Sequence, residues 1–445
     1  MALDLESLEN DISYARSTDS IDSNAPLLGA EEISRVSRHE ESASGSNWAA
    51  YLNITCVVAG TGILGLPYAI KQSGWVGLSL IVLSMVISLY TSIILIKCLY
   101  YNNKTRLRSY EDIGYHAYGN FGKYFLVGIF NNTILLGVPV LFLILAGQNL
   151  DAIFEHYWNV QLGVRVWICI SSALVALPFI FTKTMKEMIL LSFFGAFATF
   201  FCVIAIVVLS FEDLPEVYKS KNPPTHSLIS LSEFPIALAT ISFSYGGNSV
   251  FPQIEESMDR RKDWNKVVAA AMATCAIMYT LVSFTGYFVY GDSSLSPIFN
   301  NLPQGPLLTI ASLFVTVHVL FTAPILLISF AIETEKVLKI TQEYHSETVE
   351  LLLRAIFRTF LMVAVTATAV FVPFFGDLMS LLGALAMCLL VFILPVVFYI
   401  KLYGFERISY LELVWGAFVM LIGMIGCVIG TIDALRALIR DFHEL

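Results

Sequence analysis

The sequence predicts an all-α membrane protein built from two inverted five-span halves with an eleventh span added. Three observations carry that expectation: apolar blocks of membrane-crossing length, a faint internal repeat, and two apolar stretches interrupted by glycine and proline at matching places. Of 445 residues, 57% are hydrophobic and 14% are charged, and a run of about 20 apolar residues covers the hydrocarbon core of a bilayer.

Spans are expected at 48–72, 76–99, 123–149, 163–181, 190–211, 228–256, 264–290, 306–332, 352–372, 378–400 and 411–433. The connections between them are rich in Gly, Pro, Asn and charged residues. The chain therefore divides into an acidic cytoplasmic tail at 1–47, a first repeat at 48–211, a second, inverted repeat at 228–400, and an eleventh helix with a short lumenal or extracellular C-terminus at 411–440.

Basic residues favour the cytoplasmic side of a membrane. One alternate set of loops holds Lys104, Arg106, Arg108, Lys183, Lys186, Arg260, Arg261, Lys262, Lys336, Lys339, Lys401 and Arg407, while the other is nearly bare apart from Lys219 and Lys221. That asymmetry predicts a cytoplasmic N-terminus. The tail has ten acidic residues, three arginines and ten serines, and supplies most of the formal net charge of −9. Such a composition predicts disorder and no nucleic-acid partner. Within it "NAPLL" at 24–28 resembles a dileucine sorting element, with the acidic residue at an unusual spacing. The seven cysteines lie in or at the edge of spans, where they act as small apolar residues, and neither a disulfide framework nor a metal spacing is visible. No cofactor is expected.

The repeat is seen in "LLSFFGAFA" at 190–198 and "LMSLLGALA" at 378–386. Ser192 matches Ser380, Gly195 matches Gly383, Ala196 matches Ala384 and Ala198 matches Ala386, at an offset of 188. Many carriers are built from such inverted halves. A similar offset carries "AGTGILGLPYAI" at 59–70, in the first span, onto "SFSYGGNSVFP" at 242–252, in the sixth. Glycine tolerates unusual dihedrals and proline removes a donor, so both segments should unwind at mid-depth. Unpaired backbone in hydrocarbon is costly unless it lines a cavity or meets a ligand. The pair therefore predicts a substrate site, although glycines also serve close helix packing in membranes.

The chemistry follows from what an interrupted helix exposes. Ala59, Gly60, Thr61, Gly62, Ile63 and Leu64 present free N–H groups and a positive dipole end, a seat for a carboxylate; a side chain at Gly62 would fill it. The carbonyls of Ser244 and Tyr245, the break at Gly246 and the amide of Asn248 suit an ammonium. A small zwitterion fits that pair. Neither break carries a charge, which favours a neutral substrate.

"AGTGILGLPYAI", "FSYGGNSVFPQIEESM", "LPFIFTKTMKEMILLS" and "NLPQGPLLTIASLFVTVHVLFTAPILL" resemble the amino acid/auxin permease family, most similarly its vesicular inhibitory and vacuolar neutral amino acid transporter branches. The likeness covers about residues 47–440. It implies the leucine-transporter fold, amino acid movement coupled to protons, and exchange into an acidic organelle. It also implies that spans one, two, six and seven rock against three, four, eight and nine. A monomer in the lipid bilayer is expected. Related branches are symporters at the plasma membrane.

Coupling needs a titratable or cation-binding group within the membrane. His318 lies deep in the eighth span, four residues before Thr322, so the two share a helix face. In the family fold that face holds a cation against the first span, and a protonated histidine could replace it. A neutral imidazole bonded to a carbonyl is the alternative. Sodium is the rival ion, but Thr322 is flanked by Phe321 and Ala323, so a second hydroxyl ligand is missing unless carbonyls at Ala59 or Gly60 compensate. The resemblance also points to the third span, where Asn131, Asn132 and Thr133 are consecutive polar residues and Asn132 is the candidate substrate contact. Glu255 and Glu256 could close a gate by pairing with Arg or Lys.

No nucleophile elbow, zinc motif or nucleotide loop is present, so neither an enzyme with catalytic residues nor a primary pump is expected. The remaining alternative is a sensor that binds amino acids without moving them.

Overall fold

The computed structural model describes residues 46–102, 105–181, 188–220, 223–340 and 344–443, with the side chains of 181–192 outside the description. The tail at 1–45, its dileucine-like element, Lys104, Lys183, Lys186, Lys221 and the side chain of Ser192 thus lie outside the described residues.

The first span is interrupted: α1 (Asn47–Val58) and α2 (Leu66–Ser73) flank a 3₁₀ turn at Thr61–Gly65. The Ser46 hydroxyl caps α1 by accepting from Trp48 N–H, and Pro67 stands in the first turn of α2, where a missing N–H costs nothing. Gly74, at φ 74°, turns the chain into α3 (Val76–Leu99), the second span.

Residues expected in a loop form α4 (Tyr110–Asn120), capped by the Ser109 hydroxyl accepting from Asp112 N–H. The chain reverses at Gly119 (φ 63°) into a π-helical stretch, Phe121–Gly128, that continues as α5 (Ile129–Trp158), the third span. A β-carbon at Gly114 would lie 2.7 Å from the Gly122 carbonyl oxygen, so the two glycines allow α4 to fold back onto the start of that span. This hairpin escaped the apolar-run reading because α4 is polar along one side.

The first half closes with α6 (Val164–Phe181) and α7 (Met188–Lys219). The sixth span is again broken, into α8 (Phe234–Ser244) and α9 (Phe251–Glu256). It begins later than the expected 228, because the backbone at 227–230 hydrogen-bonds to that of Ser73, Trp75 and Val76 rather than continuing a helix. Then come α10 (Trp264–Tyr290), α11 (Pro306–Val337) and α12 (Glu347–Phe371). The tenth span is α13 (Phe375–Leu382), a π-helical stretch at Gly383–Ile393, and α14 (Leu394–Tyr403). The eleventh is α15 (Tyr410–Met424), a short π-helical stretch at Ile425–Ile429 and α16 (Gly430–His443).

Among the described residues, nine helical segments are long and apolar enough to cross a membrane, and Val164–Ile180 and Phe234–Ser244 are shorter apolar helices. Outward faces are greasy: Leu352, Ile356, Phe360 and Val363 are all exposed on α12, as expected for a surface that meets lipid rather than water. The chain is a multi-pass membrane protein.

The repeat glycines do equivalent jobs in the two halves. A β-carbon at Gly195 in the fifth span would lie 2.6 Å from Cys56 Sγ in the first, and one at Gly383 in the tenth would lie 2.1 Å from the Ala239 carbonyl in the sixth. Each glycine lets one helix approach an interrupted one, the close packing that small residues permit in membranes.

Candidate binding cavity

Both interruptions open onto one cavity of about 210 Å³. On the first-span side it is reached by Gly60, Thr61 and Gly62, and on the sixth-span side by Ser244, Gly246 and Asn248. Gly60 is extended, at φ −72° and ψ −150°, and Thr61 and Gly62 begin the 3₁₀ turn, so their N–H groups have no acceptor within that turn. The two breaks touch: a β-carbon at Gly62 would lie 2.7 Å from Ser244 Oγ and 2.9 Å from Ser244 Cα. A side chain at Gly62 would thus strike the sixth span before reaching any carboxylate seat, which corrects the expectation for that position.

The walls are apolar. Ile134, Val138 and Phe142 come from α5, Ile325 and Leu326 from α11, and Met387 from the tenth span. His318 and Thr322 also line the cavity, and no carboxylate, ammonium or guanidinium side chain is among its described lining residues. The lining of the first and sixth spans extends to Cys56 and Val57 on α1 and to Ser249 and Val250 before α9, so the cavity leads away from the breaks towards the end of the molecule that carries Glu255.

Other expected residues lie elsewhere. Ala59 is fully buried, and Ile63 and Leu64 line a second, water-sized void of about 10 Å³ with Thr199, Cys202 and His318. Tyr245 is fully buried with its ring edge-on to Tyr279, at 5.1 Å and 71°. Asn132 is not among the lining residues; its neighbour Asn131 takes that place and donates to Glu111 Oε1 at 2.9 Å. One step along a helix turns a side chain by about 100°, and here it is Asn131 that the turn brings to the cavity.

Two members of the predicted ammonium seat, the Ser244 carbonyl and Asn248, are already hydrogen-bonded. The Ser244 carbonyl accepts from the Tyr279 hydroxyl at 2.5 Å. Asn248 Nδ2 donates to the carbonyls of Leu390 and Val391 at 3.3 and 3.4 Å, and its Oδ1 accepts from Ser92 at 3.4 Å. Those two carbonyls lie in the π-helical stretch, where backbone acceptors are released from the α-helical ladder. Asn248 therefore fastens the sixth-span break to the tenth and second spans.

His318 stands where the two voids meet, 6% exposed, with Gly195 beneath its ring. Thr322 donates to the His318 carbonyl at 2.8 Å, and its oxygen lies 3.5 Å from Nδ1. The imidazole is thus bonded to no backbone carbonyl among the described hydrogen bonds.

Two ionic clusters lie outside the cavity lining, and Glu255, Glu335, Glu350 and Arg358 in them are buried. Arg106, in the loop after the second span, pairs with Glu255 at 2.9 Å and Glu256 at 3.3 Å and donates to the Pro252 carbonyl, while Tyr100 donates to Glu255 at 2.6 Å. In the other cluster Arg358 donates to Glu335 at 2.7 and 3.3 Å and to the Phe179 carbonyl at 2.9 Å, joining the ninth, eighth and fourth spans. Arg354 reaches both Glu335, at 3.4 Å, and Glu350. This second cluster was missed from the sequence; two arginines four residues apart inside an apolar span were the signal.

The chain matches the family described as transmembrane amino acid transporter protein over residues 43–436. It is similar to the amino acid transporter AVT1I of Arabidopsis thaliana, 30% identical over 415 residues that cover 92% of this chain and 99% of that one. To AVT1C of the same plant it is 28% identical, over 92% of this chain and 73% of that one. Among solved structures it resembles the inward facing conformation of Mhp1, with TM-score 0.52 at 12% identity, over 95% and 96% of the chains. It also resembles the Eremococcus coleocola manganese transporter, with TM-score 0.50 at 12% identity, over 94% and 91%. These likenesses identify the leucine-transporter fold.

Proposed function

Because the chain belongs to the transmembrane amino acid transporter family, we propose that it is a secondary active carrier of small neutral amino acids, working by alternating access and coupled to protons. The observation that carries this reading is the meeting of both interruptions at one cavity, with Gly62 against Ser244.

The substrate carboxylate sits at the N–H groups of Thr61 and Gly62, where the positive end of the outer half-helix points. The ammonium meets the carbonyl end of α1 at Cys56 and Val57, which line the cavity, instead of the occupied acceptors at Ser244 and Asn248. An apolar side chain packs against Val138, Phe142 and Met387. The lack of a carboxylate, ammonium or guanidinium side chain among the described lining residues supports a neutral cargo, since a buried charge without a partner is costly.

His318 carries the proton. Besides Cys56 it is the one ionisable side chain among the described residues lining the 210 Å³ cavity, and it adjoins both voids. Thr322 offers a single hydroxyl, with Phe321 and Ala323 on either side, and the lack of a second hydroxyl ligand disfavours sodium. The ionic clusters support the rocking motion. Arg106–Glu255 ties the second span to the sixth, and Arg358–Glu335 ties the eighth and ninth to the fourth. Each cluster stays within one moving group, so alternation need not break a buried pair. Glu255 accordingly braces its own group instead of gating.

We place the protein in a vacuolar or vesicular membrane with its N-terminus in the cytoplasm, so that the cavity leads to the cytoplasmic side. Uptake of radiolabelled neutral amino acids into proteoliposomes under an imposed pH gradient tests the carrier reading: concentrative flux is expected, and binding without flux would mark a sensor. A tagged copy imaged beside a vacuolar marker tests the location.

A further inference from the structure

The C-terminal ends of the two interrupted helices converge on a single side chain. α1 ends at Val58 and α8 at Ser244, and the carbonyl oxygens of both residues lie 2.5 Å from the hydroxyl of Tyr279. Tyr279 is wholly buried on α10. Neighbouring carbonyls at these ends have backbone donors: Thr55 accepts from Ala59, Ile241 from Tyr245, and Phe243 from Gly246. No backbone donor is described for Val58 or Ser244, so the phenol serves both.

Each helix end bears partial negative charge from its unpaired carbonyls. Two such ends brought together in a water-poor interior call for positive charge between them, and in carriers with interrupted helices a bound cation fills that place. Here the chain supplies its own donor. A phenol has one proton for two acceptors, so it donates to one carbonyl at a time and holds both within reach of one oxygen. Ser244 also forms the surface against which Gly62 rests. The separation of Val58 and Ser244 therefore governs the spacing of the two breaks.

We propose that the Tyr279 hydroxyl is a positioning group of the cavity, joining the carbonyl ends of α1 and α8 in place of an inorganic cation. The inference rests on the carrier reading above. It explains how the two breaks hold one geometry for a zwitterion without sodium. It also predicts that removing the hydroxyl leaves an oxygen-sized gap between two carbonyls, suited to a small monovalent cation.

The test is uptake kinetics of the full-length protein in proteoliposomes, using the best-transported member of a radiolabelled panel of the standard amino acids, in choline, sodium and potassium media. Wild type should behave alike in all three. Tyr279→Phe should raise KM at least tenfold in choline while changing the maximal rate about twofold or less, and sodium or potassium should lower that KM severalfold. A KM within twofold of wild type in choline overturns the positioning role. A raised KM that neither cation lowers overturns the substitution for a cation, and absence of uptake by wild type overturns the carrier reading itself. Should Tyr279→Phe fail to insert, fluorotyrosine at 279 keeps the ring and alters the hydroxyl's donor strength; an unchanged KM there also overturns the proposal.

Discussion

Gly62 and Ser244 stand in contact across the two interrupted spans, so close that a β-carbon on Gly62 would lie 2.9 Å from the Ser244 Cα and 2.7 Å from its Oγ. Backbone cannot retreat as a flexible side chain can. Gly62→Ala should therefore cut uptake at least tenfold, and Gly62→Leu should abolish it, with insertion preserved. Ser244→Gly removes the Oγ and Cβ obstacles and should restore part of the loss in the double variant. A double-mutant cycle on uptake rates with no coupling between the positions would show that the breaks do not meet during transport.

Arg358 and Glu335 form a buried pair, 1% and 4% exposed. Removing one partner of such a pair costs about 3–5 kcal/mol, whereas replacing both with apolar or neutral groups is often tolerated. Arg358→Met alone should markedly lower the thermal midpoint of the detergent-solubilised protein, and Arg358→Met with Glu335→Gln should recover much of it. Equal midpoints for the single and double variants would argue against the pairing.

The proposed rocking motion keeps the Arg106–Glu255 pair within one moving group, so tethering the two should be harmless. In a background without the native cysteines, Arg106→Cys with Glu255→Cys treated with a short bis-maleimide should keep most of its uptake. Transport blocked by the crosslinker and restored when it is omitted would reinstate Glu255 as a gate.

His318 is the group on which proton dependence is expected to rest. His318→Ala should flatten the dependence of uptake on the imposed pH gradient, while amino acid exchange at equal pH persists. A variant whose pH dependence matches wild type removes His318 from coupling.

Much of the architecture was legible beforehand. Glycine and proline act locally and apolar runs are counted along the chain, so the spans, the interruptions near Gly60 and Gly246, and the likeness of 190–198 to 378–386 follow from residue type and spacing. The second and seventh spans begin and end where the apolar blocks do, at Val76–Leu99 and Trp264–Tyr290. The hairpin at Gly119 was hidden, because Gly114 and Gly122 matter only once they face one another.

What tertiary structure alone decided is which polar groups are already satisfied. Asn248 and the Ser244 carbonyl look available in a linear reading, yet the first is fastened to Leu390 and Val391 and the second to Tyr279, residues 142, 143 and 35 positions away. Hydrogen-bond partners at that separation leave no periodic trace. A chain can thus announce that it breaks its helices by the residues at the break, but which atoms remain free to hold a ligand is set by whatever other helices bring beside them.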